Sequence, residues 1–248
     1  MKYGICCGPS MERIQKAAEI GFDYVELGVS EIAAMPEEEY EKYKNLPIPA
    51  ETFNLLFPGT IKLLGGTPEE DIRAYLVKAL GRVHDLGGKL FVFGSGGARR
   101  VPEGMTFAEG FKRLVRVTQL IGDVASSYGL SVAIEPLRFK ETNMINTLSE
   151  GAALAAMADR ANVGLLADTI HFWDNGEPVS QIRVIRDFAH IHFSSRDRFA
   201  PIPEEMPLYK EFVDALRFGG YDARISIECG FRDYAAEAAV GLEVLKQL

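Results

Sequence analysis

Four short apolar runs in the second half of the chain each end in a side chain able to hold a divalent cation. They are Val132-Ala133-Ile134-Glu135, Leu165-Leu166-Ala167-Asp168, His190-Ile191-His192 and Ile225-Ser226-Ile227-Glu228. Successive side chains of a strand point to opposite faces, so Ser131, Ala133 and Glu135 share one face while Val132 and Ile134 share the other. Ser226 and Glu228 oppose Ile225 and Ile227 in the same way, which turns the bulky aliphatic residues toward a packed layer and the polar ones toward an open end. Two glutamates, one aspartate and one imidazole converging on a point make a mixed oxygen and nitrogen site suited to Mn2+, Co2+, Mg2+ or Zn2+. Carboxylates gathered without a cation would repel one another and take up protons, so the coincidence on four consecutive strands favours one divalent metal ion over four separate hydrogen-bonded side chains.

The elements that must position these residues alternate strictly. Strands are predicted at Tyr3–Cys7, Tyr24–Val29, Ala50–Phe57, Leu90–Gly94, Ser131–Leu137, Val163–Thr169, His190–Ser194 and Arg224–Cys229. Helices are predicted between and after them at Met11–Ile20, Glu37–Lys44, Pro68–Leu86, Phe107–Tyr128, Leu148–Ala158, Val179–Phe188, Leu208–Phe218 and Tyr234–Leu248. Thr67-Pro68-Glu69-Glu70 supplies a capping hydroxyl, a proline for the first turn and acid near the positive end of the helix dipole. Gly21, Gly87-Gly88, Gly129 and Gly219-Gly220 supply helix stops. Eight βα repeats in 248 residues leave about 31 residues each, with no linker or low-complexity tract between them. The pattern predicts an α/β fold in which residues 1–248 form one closed (β/α)8 TIM barrel. An open doubly wound sheet would carry a glycine-rich phosphate turn after its first strand, and Cys7-Gly8-Pro9-Ser10 is not one. In the barrel, the C-terminal ends of the strands form the functional face, which is where the four candidate ligands stand.

Composition removes other classes. With 27 basic against 35 acidic residues the chain carries a net charge of −8, and its basic residues form only short clusters, so no nucleic-acid partner is expected. Three cysteines make no disulfide framework and suit a reducing compartment, which places the protein in the cytoplasm. The N-terminal run is too short for a signal peptide, and no apolar run approaches a membrane span.

Asp168-Thr169-Ile170-His171, His190-Ile191-His192 with Arg198 six residues on, Glu135 followed six later by Glu141, and Ile227-Glu228 together resemble the xylose isomerase-like TIM barrel superfamily of sugar phosphate isomerases and epimerases. Above all they resemble the ketose 3-epimerases acting on tagatose and allulose (psicose), and hydroxypyruvate isomerase. The likeness covers the whole chain in repeat order and its second half in motif detail. It implies that Glu135, Asp168, His192 and Glu228 hold one divalent metal, and that Glu135 and Glu228 are also the catalytic acid/base pair on opposite faces of a sugar. It further implies that Glu141, His171 and Arg198 bind the sugar oxygens. Arg138-Phe139-Lys140-Glu141 and Phe199-Ala200-Pro201-Ile202-Pro203 depart from the epimerases' usual Asn-Arg-aromatic-Glu and Pro-Gly-x-Gly segments, so the likeness does not fix the sugar.

A metal bridging a carbonyl oxygen and the neighbouring hydroxyl stabilises the enediolate formed when a proton leaves the carbon between them. Two glutamates, one on each face, would invert that carbon, whereas one face used alone would move the carbonyl. A dehydratase acting on an inosose or dehydroshikimate would use the same groups. An endonuclease IV-like repair enzyme draws on five histidines where this chain has 4, and a non-catalytic sugar-binding barrel would need none of the acid/base pair.

Other residues have plainer readings. His190, one layer deeper than His192, is read as a hydrogen-bonded interior histidine, and Glu26 as an inward carboxylate paired with a buried partner. His84 is read as structural, and Cys6, Cys7 and Cys229 as small residues shaping the mouth. Trp173 and Phe57 are equally suited to wall a sugar pocket or to pack in the core. The Phe93-Gly94-Ser95-Gly96-Gly97-Ala98-Arg99-Arg100 stretch is either a phosphate-binding loop or a flexible one with solvated arginines, and Phe231 and Tyr234 leave room for a homo-oligomer.

Overall fold

The computed structural model describes residues 1–248. Its first half runs β1 (Lys2–Cys6), α1 (Met11–Ile20), β2 (Tyr24–Gly28), α2 (Val29–Ala34), α3 (Glu37–Tyr40), β3 (Ala50–Asn54), α4 (Glu69–Asp85), β4 (Leu90–Phe93) and α5 (Phe107–Ser127). The second half runs β5 (Ser131–Ile134), α6 (Leu148–Ala158), β6 (Val163–Asp168), α7 (Thr169–Asp174), α8 (Ser180–Val184), β7 (Phe188–Phe193), α9 (Met206–Phe218), β8 (Arg224–Ile227) and α10 (Tyr234–Lys246). Each strand pairs in parallel with the next, and β1 closes on β8, so the sheet is an eight-stranded barrel ringed by helices.

The alternation read from the sequence sorts the side chains into two layers. Val132, Ile134, Leu165, Ile191, Phe193, Ile225 and Ile227 are buried in the large core between barrel and helices, while Leu90, Val92, Ala133 and Leu166 form a separate small cluster inside the barrel. The interior is close-packed. At Gly4 a β-carbon would meet the Tyr24 ring at 2.2 Å, so β1 has no side chain where β2 places its largest.

Several local expectations need correction. The helix predicted over Val179–Phe188 is only α8, because Ile185 leaves the helix with extended backbone and β7 already begins at Phe188. Isoleucine and valine fit a buried strand as well as a helix face, so that boundary is not legible from apolar period. Thr67 does not cap α4. Its hydroxyl accepts from the Lys62 amide at 2.9 Å, and Pro68 occupies the cap position with no side-chain bond. The short helices α2 and α7 were not anticipated.

The start of α6 carries a testable charge. Beyond the Thr147–Glu150 capping box, the Glu177 carboxylate accepts the Leu148 amide at 2.9 Å. Burial pushes Glu177 up to about 7, with the Leu148 N–H opposing and the Glu150 charge adding. An acid whose folded value lies above its unfolded one costs stability as pH rises from the unfolded value, near 4.5, through the folded one. Glu177→Gln keeps an acceptor and removes that cost. Allowing for partial solvent screening, it is expected to raise stability by about 1 kcal/mol at pH 8, roughly 3 °C in Tm, and to change little at pH 5. Thermal unfolding at the two pH values checks this, and an equal shift at both would contradict it.

Candidate metal centre and active site

The ends of β5 to β8 bring four ligand atoms to one place. One atom each from Glu135, Asp168, His192 and Glu228 lies within 4.8 Å of all the others. Asp168 and His192 are the inward residues at the ends of β6 and β7 and face each other in register. Glu135 and Glu228 follow the last residues of β5 and β8, still tied to the neighbouring strands through Glu135 N–H to Phe93 O (3.2 Å) and Glu228 N–H to Phe193 O (3.1 Å).

Each side chain is aimed by a specific partner. Asp168 is the N-cap of α7: its Oδ1 accepts the Ile170 amide at 2.8 Å, which leaves Oδ2 turned into the cluster. His192 Nε2 is hydrogen-bonded to Glu26 Oε1 at 2.8 Å, and its Nδ1 stands 3.5 Å from both Glu135 Oε1 and Glu228 Oε2. The Glu135 carbonyl is gripped by Arg99, whose guanidinium also donates to the Phe93 and Ile145 carbonyls. Arg99 is wholly buried and spent on backbone carbonyls, while Arg100 is exposed and donates to the Glu141 carbonyl, so of the two only Arg100 is a solvated arginine.

Glu141, His171 and Arg198 arrive on the same site from two loops and one helix. His171, on α7, has Nε2 at 3.5 Å from both Glu135 Oε1 and Asp168 Oδ2, and 3.9 Å from Glu141 Oε2. Arg198 spans the mouth, with Nη2 3.3 Å from Glu228 Oε2 and Nη1 3.8 Å from Glu141 Oε1. Its backbone sits at φ 60, a left-handed conformation fixed by hydrogen bonds from its N–H to Ser195 O and from Gly230 N–H to its carbonyl. Arg138 clasps the Glu141 carboxylate and also Asp174, which anchors the β5–α6 loop to the end of α7. Accessibility is graded: the side chains of Asp168 and His192 are 0 % exposed, Glu228 20 %, and Glu141 and Arg198 31 % and 35 %. A small polar molecule entering the mouth therefore meets Arg198 and Glu141 first and the four-residue cluster at the bottom.

The electrostatics are those of a site short of positive charge. Burial raises Asp168 to about 6; the facing His171 opposes that rise, and the Glu228 and Glu135 charges reinforce it. Burial alone would also raise Glu135 and Glu228, but facing histidines, His171 and His192 for Glu135 and chiefly His192 for Glu228, hold both below the usual carboxylate range. Burial works against the imidazolium at His192, yet the Glu26 and Glu228 carboxylates lift it well above the usual value. His190, deeper in the barrel, is lowered by burial despite the same Glu26. Asp168 Oδ2 and His192 Nδ1 are buried without a hydrogen-bond partner. Two buried ligand-type atoms without partners among clustered carboxylates are what a divalent cation would satisfy, taking the place of the His192 proton, so these residues fit the metal that the sequence implied.

Gly94 makes room for the site. A β-carbon there would lie 2.1 Å from Glu135 Oε2, so Gly94→Ala is expected to push that carboxylate aside and cost about 10²-fold in kcat while the fold survives. Steady-state rates beside thermal unfolding check this, and unchanged turnover would contradict it.

The remaining readings divide. Glu26 and His190 are the buried pair expected, though Glu26 also takes His192, Thr52 and Ser226. His84 tethers α4 to the Tyr128 carbonyl. Trp173 packs on Tyr209 and Phe212, and Phe57 on Tyr75 and Phe93. Phe231 and Tyr234 pack on each other and are half-buried. The Cys6 sulfur lies within 4.8 Å of ligand atoms of His192 and Glu228 and accepts from Asn54 Nδ2, while burial and the nearby carboxylates push its thiol well above the usual value. Arg99 was missed as a support of Glu135, because nothing local distinguishes an arginine turned inward from one turned out.

The profile of the xylose isomerase-like TIM barrel family matches residues 14–248. A D-psicose 3-epimerase of Agrobacterium fabrum is 26% identical over 236 residues, covering 87% of this chain and 77% of that protein. Among solved structures, the apo form of a 3-keto-D-glucoside 4-epimerase from E. coli superposes with a TM-score of 0.82 at 22% identity, covering 100% of both chains. A protein named IolI, with a bound zinc atom, superposes with a TM-score of 0.72 at 18% identity over 100% of this chain and 96% of its own.

Proposed function

The chain belongs to the xylose isomerase-like TIM barrel family, and on that premise we propose that it is a divalent-metal-dependent sugar epimerase or isomerase that works by moving a proton on the carbon next to a ketose carbonyl. The observation that carries the reading is the convergence of Glu135, Asp168, His192 and Glu228 within 4.8 Å, with Asp168 Oδ2 and His192 Nδ1 buried and unpartnered. The similarity to a D-psicose 3-epimerase supports the substrate class.

Glu135, Asp168, His192 and Glu228 would hold one ion, of Mn2+, Co2+, Mg2+ or Zn2+ type. Such an ion, when bound, supplies Lewis-acid stabilisation of negative charge on the carbonyl and neighbouring hydroxyl oxygens of the sugar. The protein's own groups do the rest. Glu135 and Glu228 come from strands on either side of β6 and β7, are both ionised at neutral pH, and are suited to stand on opposite faces of a sugar carbon. One removes the proton and later releases it to solvent, while the other takes a proton from solvent and delivers it to the opposite face of the enediolate. Arg198, beside Glu228, and His171, beside Glu135, orient the two carboxylates and donate to sugar oxygens, with Glu141 accepting from a hydroxyl. The buried setting of Arg99, whose guanidinium is spent on three backbone carbonyls, supports a free sugar over a phosphorylated one. The free cysteines suit a reducing, cytoplasmic setting, and no helix is long and apolar enough to cross a membrane.

A screen of free ketoses against their phosphates, with the protein loaded in turn with each of the four metals, tests the reading. Turnover of at least one free ketose is expected. A metal-loaded protein inert toward all of them, or active only on phosphates, would contradict it.

A further inference from the structure

We propose that Glu26 is a positioning residue for this metal centre: its carboxylate fixes His192 with hydrogen on Nε2, so that the imidazole meets a cation only through Nδ1. The proposal rests on the metal site described above and goes beyond its ligands. Glu26 points inward from β2, is entirely buried, and gathers side chains from three other strands. Its Oε1 lies 2.8 Å from His192 Nε2, while its Oε2 lies 2.9 Å from His190 Nε2, 2.8 Å from Thr52 Oγ1 and 2.7 Å from Ser226 Oγ. An ionised carboxylate only accepts, so all four partners must donate, and each imidazole carries its hydrogen on Nε2.

The network is directed as well as full. The Tyr24 hydroxyl stands 3.0 Å from Ser226 Oγ and can donate to it, which leaves the Ser226 hydrogen for Glu26. The two histidine rings meet edge to face, with centroids 5.1 Å apart, so His190 braces His192 from below as the shared carboxylate holds both. His192 Nδ1 then has one place to go, the gap 3.5 Å from Glu135 Oε1 and Glu228 Oε2, where no hydrogen-bond partner meets it. A neutral ring with hydrogen on Nδ1 would lose its bond to Glu26 and aim a proton at the cation. Which nitrogen binds a metal is set by what the other nitrogen holds.

Two readouts that do not depend on turnover test this. In zinc-loaded protein, long-range proton–nitrogen NMR of the histidine rings is expected to show His192 protonated on Nε2, with that hydrogen protected from exchange, and metallated on Nδ1. Competition with a chelating indicator is expected to show that Glu26→Gln weakens zinc binding about 10–100-fold, whereas Thr52→Val, which removes one donor but leaves the His192 bond, stays within about threefold of wild type. Zinc on Nε2 in the wild type, or Glu26→Gln binding zinc within about threefold of wild type, would overturn the assignment. The wild-type spectrum needs no variant and decides the matter even if Glu26→Gln does not fold. A wild type that takes up no zinc, manganese or cobalt overturns the metal centre itself, a result distinct from zinc bound through the wrong nitrogen.

Discussion

Glu135→Gln and Glu228→Gln are each expected to lower kcat on the active ketose by about 10³-fold or more, with the fold intact. Glutamine preserves the shape of each side chain and can still offer an oxygen, so packing against Gly94 or Arg198 changes little. It cannot accept or return a proton, and each of the two steps of an inversion needs one carboxylate. The effect of Glu135→Gln should exceed that of Arg198→Lys, which keeps a positive charge beside Glu228 and loses only the planar fork. Steady-state kinetics check the prediction, with metal content measured on the same samples, because both glutamates are also candidate ligands. A variant that retains its metal and near-wild-type turnover would remove that residue from the acid/base pair.

Removing the metal is expected to have the other large effect, a loss of turnover of about 10³-fold or more that returns when a divalent ion is added back. The same ion should raise Tm in proportion to the logarithm of its concentration, since the site exists only in the folded chain. The pH dependence follows from the proton that Asp168 takes up when no ion is there. Burial, reinforced by the Glu228 and Glu135 charges against the opposing His171, raises it to about 6, so above that pH the carboxylate is ionised and no longer holds a proton against a cation. Below it, affinity should fall by up to about tenfold per pH unit, and the proton on His192 works in the same direction. Metal titrations followed by calorimetry between pH 5 and 8 check the sign, and binding that strengthens as pH falls would contradict it.

Much of this was legible in the chain because it rests on short-range rules. Parity along a strand separates Ile134 from Glu135 and Ile227 from Glu228 whatever surrounds them, and repeat length with glycine stops separates the strands. His171 was legible only through likeness of motif: Thr169–Asp174, rich in β-branched and aromatic residues, does not look like a helix, and α7 forms there because Asp168 caps it. What stayed hidden depends on partners distant in sequence. Glu26 meets histidines 164 and 166 residues away, and Arg99 finds the carbonyls of Glu135 and Ile145 36 and 46 residues away. Position on β2 turns Glu26 inward without naming its partners, and no local pattern distinguishes Arg99 from a solvated arginine, since closure of the barrel creates their surroundings. The Val179–Phe188 segment failed for the opposite reason, because its local pattern fits two structures equally well.

The central claim is that Glu135 and Glu228, beside a divalent ion, move a proton on the carbon next to a sugar carbonyl. The most direct measurement is exchange of that hydrogen with deuterated water, followed by NMR on a ketose substrate with the protein metal-loaded, chelated and reloaded. Exchange at that one carbon is expected in the loaded and reloaded protein, lost on chelation and lost in Glu135→Gln and Glu228→Gln. Conversion of the sugar without solvent exchange, or exchange that persists undiminished after chelation, would contradict it.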